Sequence, residues 1–500
     1  MDSSQTDSGA RRQMIVIGIV SLFVAWCVRR YLSRPRNLPP GPSGVPFFGV
    51  LFTIMRSKVG PLELFTSWAE QYGEIYSFTV GPVTMVLVNS LSTIREAFQN
   101  PKLNDRPYSR MLEEITGYSD KGIALSNGEV WKEQRQFVHS VFRSLGVGKK
   151  SYEDTVAREV GQIVDAFEKK GGRPFDPNDL LCSAVSNIIC SVALGTQYSY
   201  DDKEFVEILN LITANLEMSS AGGLIFYTPI PGISKFPGRF RKMRENIISI
   251  IGFIKRIVEA HRKDIDWDNP RDFIDIYLKR MKESEGKGTS FDDDNLVSGI
   301  IDLFIAGTET TSTSLKWAIM FMMTHQDVQS RVQKELDQVV GRDRFPRLDD
   351  RKDLPYTNAV VLECMRLGNV TPFSVPHVAA ESTSVKGYHI PKGSVILANL
   401  SKVLHDESHW DAPNEFRPER FLGEDGELLK RDELIVFSTG RRVCLGEQLA
   451  RMELFLFFTS LLHRYNFKKP DDAPPLCFDG IVGITRNTHP FQTCAVQRKS

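Results

Sequence analysis

"FSTGRRVCLGEQLARMELF", Phe437 to Phe455, is the stretch on which the reading of this chain turns. It sets one cysteine, Cys444, between two arginines and a run of helix formers. A structural cysteine sits inside an apolar stripe. Cys444 instead follows Gly440, Arg441 and Arg442, and precedes Leu445, Gly446 and a helical run that starts at Glu447. The pattern places it in a loop aimed at a helix N-terminus. That position, with arginines beside it, favours thiolate over thiol. A thiolate serves as a nucleophile or a metal ligand.

The chain has 500 residues, 41% hydrophobic and 25% charged, an ordinary globular composition. Its length alone suggests about three domains. No Gly/Ser-rich or Pro-rich linker follows residue 45 and no repeat is visible, so one large catalytic unit over 46–500 is expected. Lys+Arg and Asp+Glu both number 62, which gives no global bias toward nucleic acid. The seven cysteines form no C-x-x-C, which argues against a disulfide framework or a cysteine-rich zinc site. A reducing compartment fits.

"MIVIGIVSLFVAWCV", Met14 to Val28, carries no charge and spans roughly 22 Å as a helix. It is read as a transmembrane signal-anchor, with 1–13 as a lumenal tail and 29–45 as a basic, Pro-rich linker. Four arginines, 29, 30, 34 and 36, follow it and no cleavage-site pattern does, so the bulk of the chain is expected in the cytosol. The thin endoplasmic reticulum membrane suits a short span. Asn369-Val-Thr371 is a glycosylation sequon that this topology turns toward the cytosol.

Along the body, 74–90 reads as a β-hairpin around Gly81-Pro82, and short strands are expected within 385–398. Helical spacing marks 61–72, 91–99, 128–142, 152–170, 203–218, 238–263, 272–284, 294–323, 327–340, 356–367 and 446–463. Loops are expected at 101–127, 219–237 and 468–490. The fold class is mainly α with small β-sheets.

On the proline-free helix 294–323, Leu296, Ile300, Leu303, Gly307 and Thr310 share one face. A mid-helix glycine costs about 1 kcal/mol against alanine, and close approach of a flat ligand is one reason to keep it. The plain alternative is a helix-packing glycine with Thr310 bonded back to its own turn. Glu363 and Arg366 stand at i, i+3, by default a surface ion pair, with Arg420 in "FRPERF" as a second partner. Trp131 and Arg135 stand at i, i+4 and are able to donate to one anion, or to pack on each other. His377 follows a proline in an apolar loop. No H-E-x-x-H, Walker, G-x-S-x-G or G-x-G-x-x-G motif is present, so zinc, phosphoryl-transfer, α/β-hydrolase and dinucleotide-binding readings lack support.

The order of these signals resembles a cytochrome P450, a haem-thiolate monooxygenase, over essentially the whole length. Phe437, Gly440, Arg442, Cys444 and Gly446 match F-x-x-G-x-R-x-C-x-G, and "AGTETT", Glu363-x-x-Arg366 and "PERF" precede it at the family's spacing. "LPPGP", "WKEQR" and "GEQLARMELFLFF" are most similar to the animal microsomal family-2 branch. Val436 departs from that branch, which usually has proline there.

The resemblance implies the cytochrome P450 fold, with haem b between the long helix and the cysteine loop. Cys444 would be the axial thiolate, which favours O–O cleavage. Arg442, Trp131, Arg135 and His377 would hold the propionates, and Phe437 would pack near the thiolate side. Ala306 and Gly307 would make room for O2. Thr310 and Glu309 would be the alcohol–acid pair that delivers protons. Glu363, Arg366 and Arg420 would form a structural triad. Electrons would come from NADPH through NADPH–cytochrome P450 reductase, with cytochrome b5 as an optional second donor. Lys132, Arg441 and Arg451 are candidate docking charges. Apolar stretches within 101–124, 212–236, 301–310, 370–376 and 481–484 would receive a lipophilic fatty acid, steroid or xenobiotic. A haem-thiolate isomerase or dehydratase that needs no external electrons is the alternative.

Overall fold

Asp292 starts the element around which the rest is arranged. Its side chain accepts from the Asn295 amide at 2.7 Å, and Asp293 and Asp294 follow in the first turn of a 32-residue helix, Asp293–Thr324. An N-cap carboxylate with two acids beside it satisfies orphan amides and suits the helix dipole. With no proline to break it, this central helix runs about 48 Å. Its second half, from Thr311 to Met323, is buried almost all round.

The computed structural model describes residues 37–219 and 232–498, with five scattered positions between 14 and 25. Most of the expected anchor 14–28, the linker up to residue 36 and most of the apolar loop 222–238 lie outside the described residues. Among the described residues no helix is long and apolar enough to cross a membrane.

Helices 61–72, 91–99 and 203–218 end where their sequence periodicity ends, and the ends of the other expected helices shift by at most two residues. Among the described residues, four α-helices fall where none was expected: Leu51–Arg56, Arg110–Thr116, Leu400–Leu404 and, most consequentially, Asn178–Ala193. Every residue from Leu181 to Cys190 is buried in the last of these. A helix buried all round shows no amphipathic stripe, which is why its period did not stand out.

The strands are β1 Ile75–Val80, β2 Val83–Val88, β3 His377–Val378, β4 Thr383–Val385, β5 Tyr388–Ile390, β6 Val395–Ala398, β7 Tyr465–Lys468, β8 Ile481–Val482, β9 Arg486–Asn487 and β10 Cys494–Gln497. β1 and β2 form the expected hairpin, with Ile75 opposite Val88. β6 joins β2 in parallel and β3 closes the sheet in the order β1-β2-β6-β3. That sheet buries Phe65, Trp68, Tyr76, Phe78 and Leu397 in a core separate from the one around the central helix. Asn369 ends helix Pro355–Gly368 in the left-handed region at φ 43°, a position asparagine tolerates. Its side chain is buried and donates to Ser401 Oγ at 2.8 Å.

Gly307 packs against a neighbouring helix. A Cβ there would meet Ile189 Cδ1 at 2.4 Å and Cγ1 at 2.5 Å. Helix Asn178–Ala193 thus fills the side of Gly307 on which a side chain would stand. Gly307→Leu is expected to destabilise the fold by about 1–3 kcal/mol through overpacking. Urea unfolding measures this, and adding Ile189→Ala is expected to recover most of the loss. A leucine variant as stable as the parent would show that Ile189 does not fill that side of Gly307.

Candidate active site

The cysteine turn is built by its backbone. Gly440 has φ 82°, and a Cβ on it would meet the Phe98 carbonyl oxygen at 2.4 Å, so both conformation and space require glycine. The Cys444 amide donates to Phe437 O at 3.1 Å and closes the loop. Backbone amides of Gly446 and Glu447 donate toward the sulfur. Helix Glu447–Arg464 begins directly behind it.

Cys444 is exposed, yet burial pushes its thiol pKa up. A thiol both accessible and crowded by protein lies in a recess. The expected help from the adjacent arginines is absent. Arg441 is exposed, and Arg442 turns into the protein with its Cζ 4.0 Å from the Trp131 ring centre. Arg135 is the cation that lowers the thiol pKa, and the two amides act in the same sense. Burial outweighs them, and coordination to a metal would hold the sulfur as thiolate.

Arg442 is the most constrained charge of the site. Its Nε donates to Asn104 O at 3.1 Å and its Nη2 to Ser126 O at 2.7 Å. Burial, then Arg106, lowers its pKa to about 8. Its Nη1 and the Trp131 indole N–H are buried with no acceptor. A half-buried Arg135 donates to Val443 O at 2.6 Å, which ties helix Gly128–Ser144 to the cysteine turn. Buried cations and unused donors suit an anionic ligand, and the carboxylates of a haem fit them.

His377 is buried, stacked on Phe98 at 4.1 Å, with Nδ1 against Leu103 O at 2.7 Å. Burial and then Arg106 hold its pKa well below the usual range. A neutral ring that donates from Nδ1 has no second N–H, so His377 becomes a donor to a carboxylate only when that carboxylate draws a proton onto it.

Ala306 is exposed midway along the central helix, between buried Phe304 and Thr308. Thr310 Oγ1 donates back to Ala306 O at 2.7 Å, and Ser314 Oγ to Thr310 O at 2.8 Å. Glu309 points elsewhere. Its buried carboxylate accepts from Thr213 Oγ1 at 2.9 Å, Asn487 Nδ2 at 3.1 Å and Thr313 Oγ1 at 3.4 Å. No hydrogen bond joins the side chains of Glu309 and Thr310. Thr213 and Asn487 escaped sequence reading because they come from a distant helix and from β9.

Glu363 and Arg366 are not a surface pair. Both are fully buried, with Arg366 Nε to Glu363 Oε2 at 2.7 Å and Nη2 to Oε1 at 2.8 Å. Arg420 Nε reaches Oε1 at 3.0 Å and the Arg417 amide reaches it at 2.9 Å. Arg366 Nη1 also holds the carbonyls of Leu404 and Pro413, each at 2.8 Å. The three side chains thus join helix Pro355–Gly368 to the loop before the cysteine turn.

Comparison with known proteins supports a single family assignment. A family model described as Cytochrome P450 matches residues 39–495. Mouse Cytochrome P450 2J5 is 40% identical over 490 residues, 97% of this chain and 96% of its own. Human Cytochrome P450 2J2 is 38% identical over 489 residues, covering 96% and 95%. Human Cytochrome P450 2U1 is 36% identical over 513 aligned residues, covering 97% and 93%.

Glu363→Leu is expected to cost about 3–5 kcal/mol, because it strands the buried guanidinium of Arg366 without a carboxylate. Glu363→Gln keeps an acceptor and is expected to cost less. Chemical denaturation of both variants checks the order, and equal stabilities would remove the charge from the explanation.

Proposed function

The chain belongs to the cytochrome P450 family and is a haem-dependent monooxygenase of the family-2 branch, and from that premise we propose that it hydroxylates a lipophilic substrate with electrons from NADPH delivered by a reductase. Its cofactor is haem b. When bound, haem supplies the oxygen-activating and C–H-cleaving chemistry. The observation that carries the site assignment is the pair of buried donors without acceptors, Trp131 Nε1 and Arg442 Nη1, beside the cysteine turn.

On this reading Cys444 Sγ would bind the haem iron, tuned by the amides of Gly446 and Glu447 and by Arg135. Trp131, Arg135 and Arg442 hold the propionates, and His377 joins them as an imidazolium once a carboxylate is near. Phe437 and Gly440 give the turn its shape and packing. Ala306 leaves room on the oxygen side. Thr310 Oγ, now bonded to Ala306 O, holds the proton closest to that space. Glu309 is the acid of the pair; its carboxylate now accepts from Thr213 and Asn487 and would have to leave them and take a proton from solvent before passing one on. Glu363, Arg366 and Arg420 set the loop that leads into Phe437.

A microsomal enzyme of this kind sits on the endoplasmic reticulum with its catalytic domain in the cytosol, anchored through 14–28, with 1–13 in the lumen and 29–45 as linker. Its reductase docks on the cysteine side, with cytochrome b5 as an optional donor. Among the charges expected there, Lys132 pairs with Glu129 and Arg451 with Glu447 at 2.9 Å, while Arg441 is exposed. Fatty acids, steroids and xenobiotics are the substrate classes.

The test is the carbon monoxide difference spectrum of the reduced protein. A strongly red-shifted Soret band is expected for the parent, and its loss for Cys444→Ala. An unchanged band in that variant would overturn the axial assignment. Thr310→Ala is expected to keep the band and lower product per NADPH by about tenfold, ~1.4 kcal/mol on the productive branch. Full coupling would remove Thr310 from the proton path. Product formed without NADPH and reductase would instead mark an isomerase or dehydratase.

A further inference from the structure

The side of the central helix that faces helix Asn178–Ala193 carries a line of polar side chains with no part in the scheme above. Thr308, Ser312 and Lys316 recur once per turn and so share that face. Ser186, Cys182 and Asn178 meet them from the other helix at the same spacing and in the opposite order. Ser186 Oγ donates to Thr308 Oγ1 at 2.9 Å, Cys182 Sγ lies 3.5 Å from Ser312 Oγ, and Lys316 Nζ donates to Asn178 Oδ1 at 2.9 Å. The two helices are thus held antiparallel in one register by a polar ladder, with Gly307 against Ile189 beside it. The Cys182 and Ser186 rungs flank Thr310. The Cys182 rung is a long contact from a weak S–H donor, whereas the Ser186 rung is a hydroxyl pair at normal length. Ser186 is fully buried and Thr308 nearly so, which leaves each hydroxyl the other as its partner across the interface in place of water.

We propose that Ser186 is a positioning residue for the reaction: through its bond to Thr308 it fixes the rotation of the central helix at the turn that carries Glu309 and Thr310. Successive helical residues point about 100° apart, so a turn anchored at Thr308 also aims the two side chains that follow. Glu309 then faces Thr213 and Asn487, and Thr310 lies back on Ala306 O. This turn needs an anchor from outside the helix. Gly307 brings the backbone freedom of a residue without Cβ. The hydroxyls of Thr310 and Ser314 bond back to carbonyls of their own helix, which favours bending. Ser186 supplies the anchor from a helix that touches neither the cysteine turn nor the propionate-holding side chains in the scheme above. The inference rests on the proton-delivery reading of Thr310 and adds the residue that holds it in place.

The experiment is infrared spectroscopy of the reduced holoenzyme, with carbon monoxide as the probe of the oxygen side. Ser186→Ala and Thr308→Val each remove one end of the bond. Both are expected to shift or broaden the carbon monoxide stretch in the same sense, with no further change in their double variant. Thr308→Ser keeps the hydroxyl and is expected to keep the parent's stretch. Cys182→Ala, at the weak rung, is expected to lower thermal stability without moving the stretch. The deciding comparison adds Ser186→Ala to Thr310→Ala. Thr310→Ala alone is expected to shift the stretch, and Ser186→Ala is expected to add nothing to it, because its effect passes through Thr310. A general loss of packing would shift the stretch in both backgrounds. Thr308→Val keeps the test open if Ser186→Ala fails to fold. The proposal falls if Ser186→Ala and Thr308→Val leave the stretch unchanged, if Thr308→Ser is as disturbed as Thr308→Val, if Cys182→Ala shifts the stretch as Ser186→Ala does, or if Ser186→Ala acts as strongly without the Thr310 hydroxyl as with it. An unmoved stretch in Thr310→Ala would defeat the reading of Thr310 and this inference together, whereas a shift there with none in Ser186→Ala defeats this inference alone.

Discussion

A buried guanidinium without a carboxylate is the constraint on which this structure depends. Arg442 reaches back across most of the chain to the carbonyls of Asn104 and Ser126 and lies over Trp131. Those bonds satisfy two of its donor groups and leave Nη1 unused, so the protein holds a positive charge whose natural complement is an anion from outside the chain. The cysteine turn, helix Gly128–Ser144 and the loop around Asn104 are tied to one another there. An anionic cofactor would therefore relieve a cost that folding alone leaves in place, and holoprotein stability and cofactor retention should rise together.

The central helix answers this with two different sides. One is packed so closely that Gly307 has Ile189 against it. The other is left unpacked at Ala306, where Thr310 and Ser314 turn their hydroxyls onto the helix's own carbonyls. Hydroxyls that bond back to the preceding turn weaken the ladder locally and make it easier to bend. Glu309 is held on neither recess nor ladder but by Thr213 and Asn487, so its carboxylate is stabilised by elements far apart in sequence.

Much of this was legible in the residues, for reasons that differ by element. The cysteine turn was readable because Gly440 and Gly446 with one cysteine form a local pattern, and local patterns survive in sequence. The central helix was readable from its acidic cap and lack of proline. Helix Asn178–Ala193 was not, because burial on all sides erases the polar face that reveals a helix. The surface-pair reading of Glu363 and Arg366 failed because i, i+3 spacing carries no record of depth, and depth comes from Arg420, Leu404 and Pro413 closing over the pair. The arginines beside Cys444 misled in the same way: adjacency in sequence put Arg442 near the sulfur, but its side chain spends its charge on Trp131 and two distant carbonyls. Gly307 lay within a readable motif, yet its partner Ile189 belonged to the helix that had not been seen.

The cap at Asn369 has a consequence for whether that side chain can be modified. Its side-chain amide is the nitrogen to which a glycan would be attached, and in the folded domain it is buried, left-handed and bonded to Ser401. A transferase that needs that nitrogen has access to it before the domain closes and none afterwards. Sugar on Asn369 would thus be a timestamp: it would mark a chain modified before it folded, and a natively closed domain would not carry it.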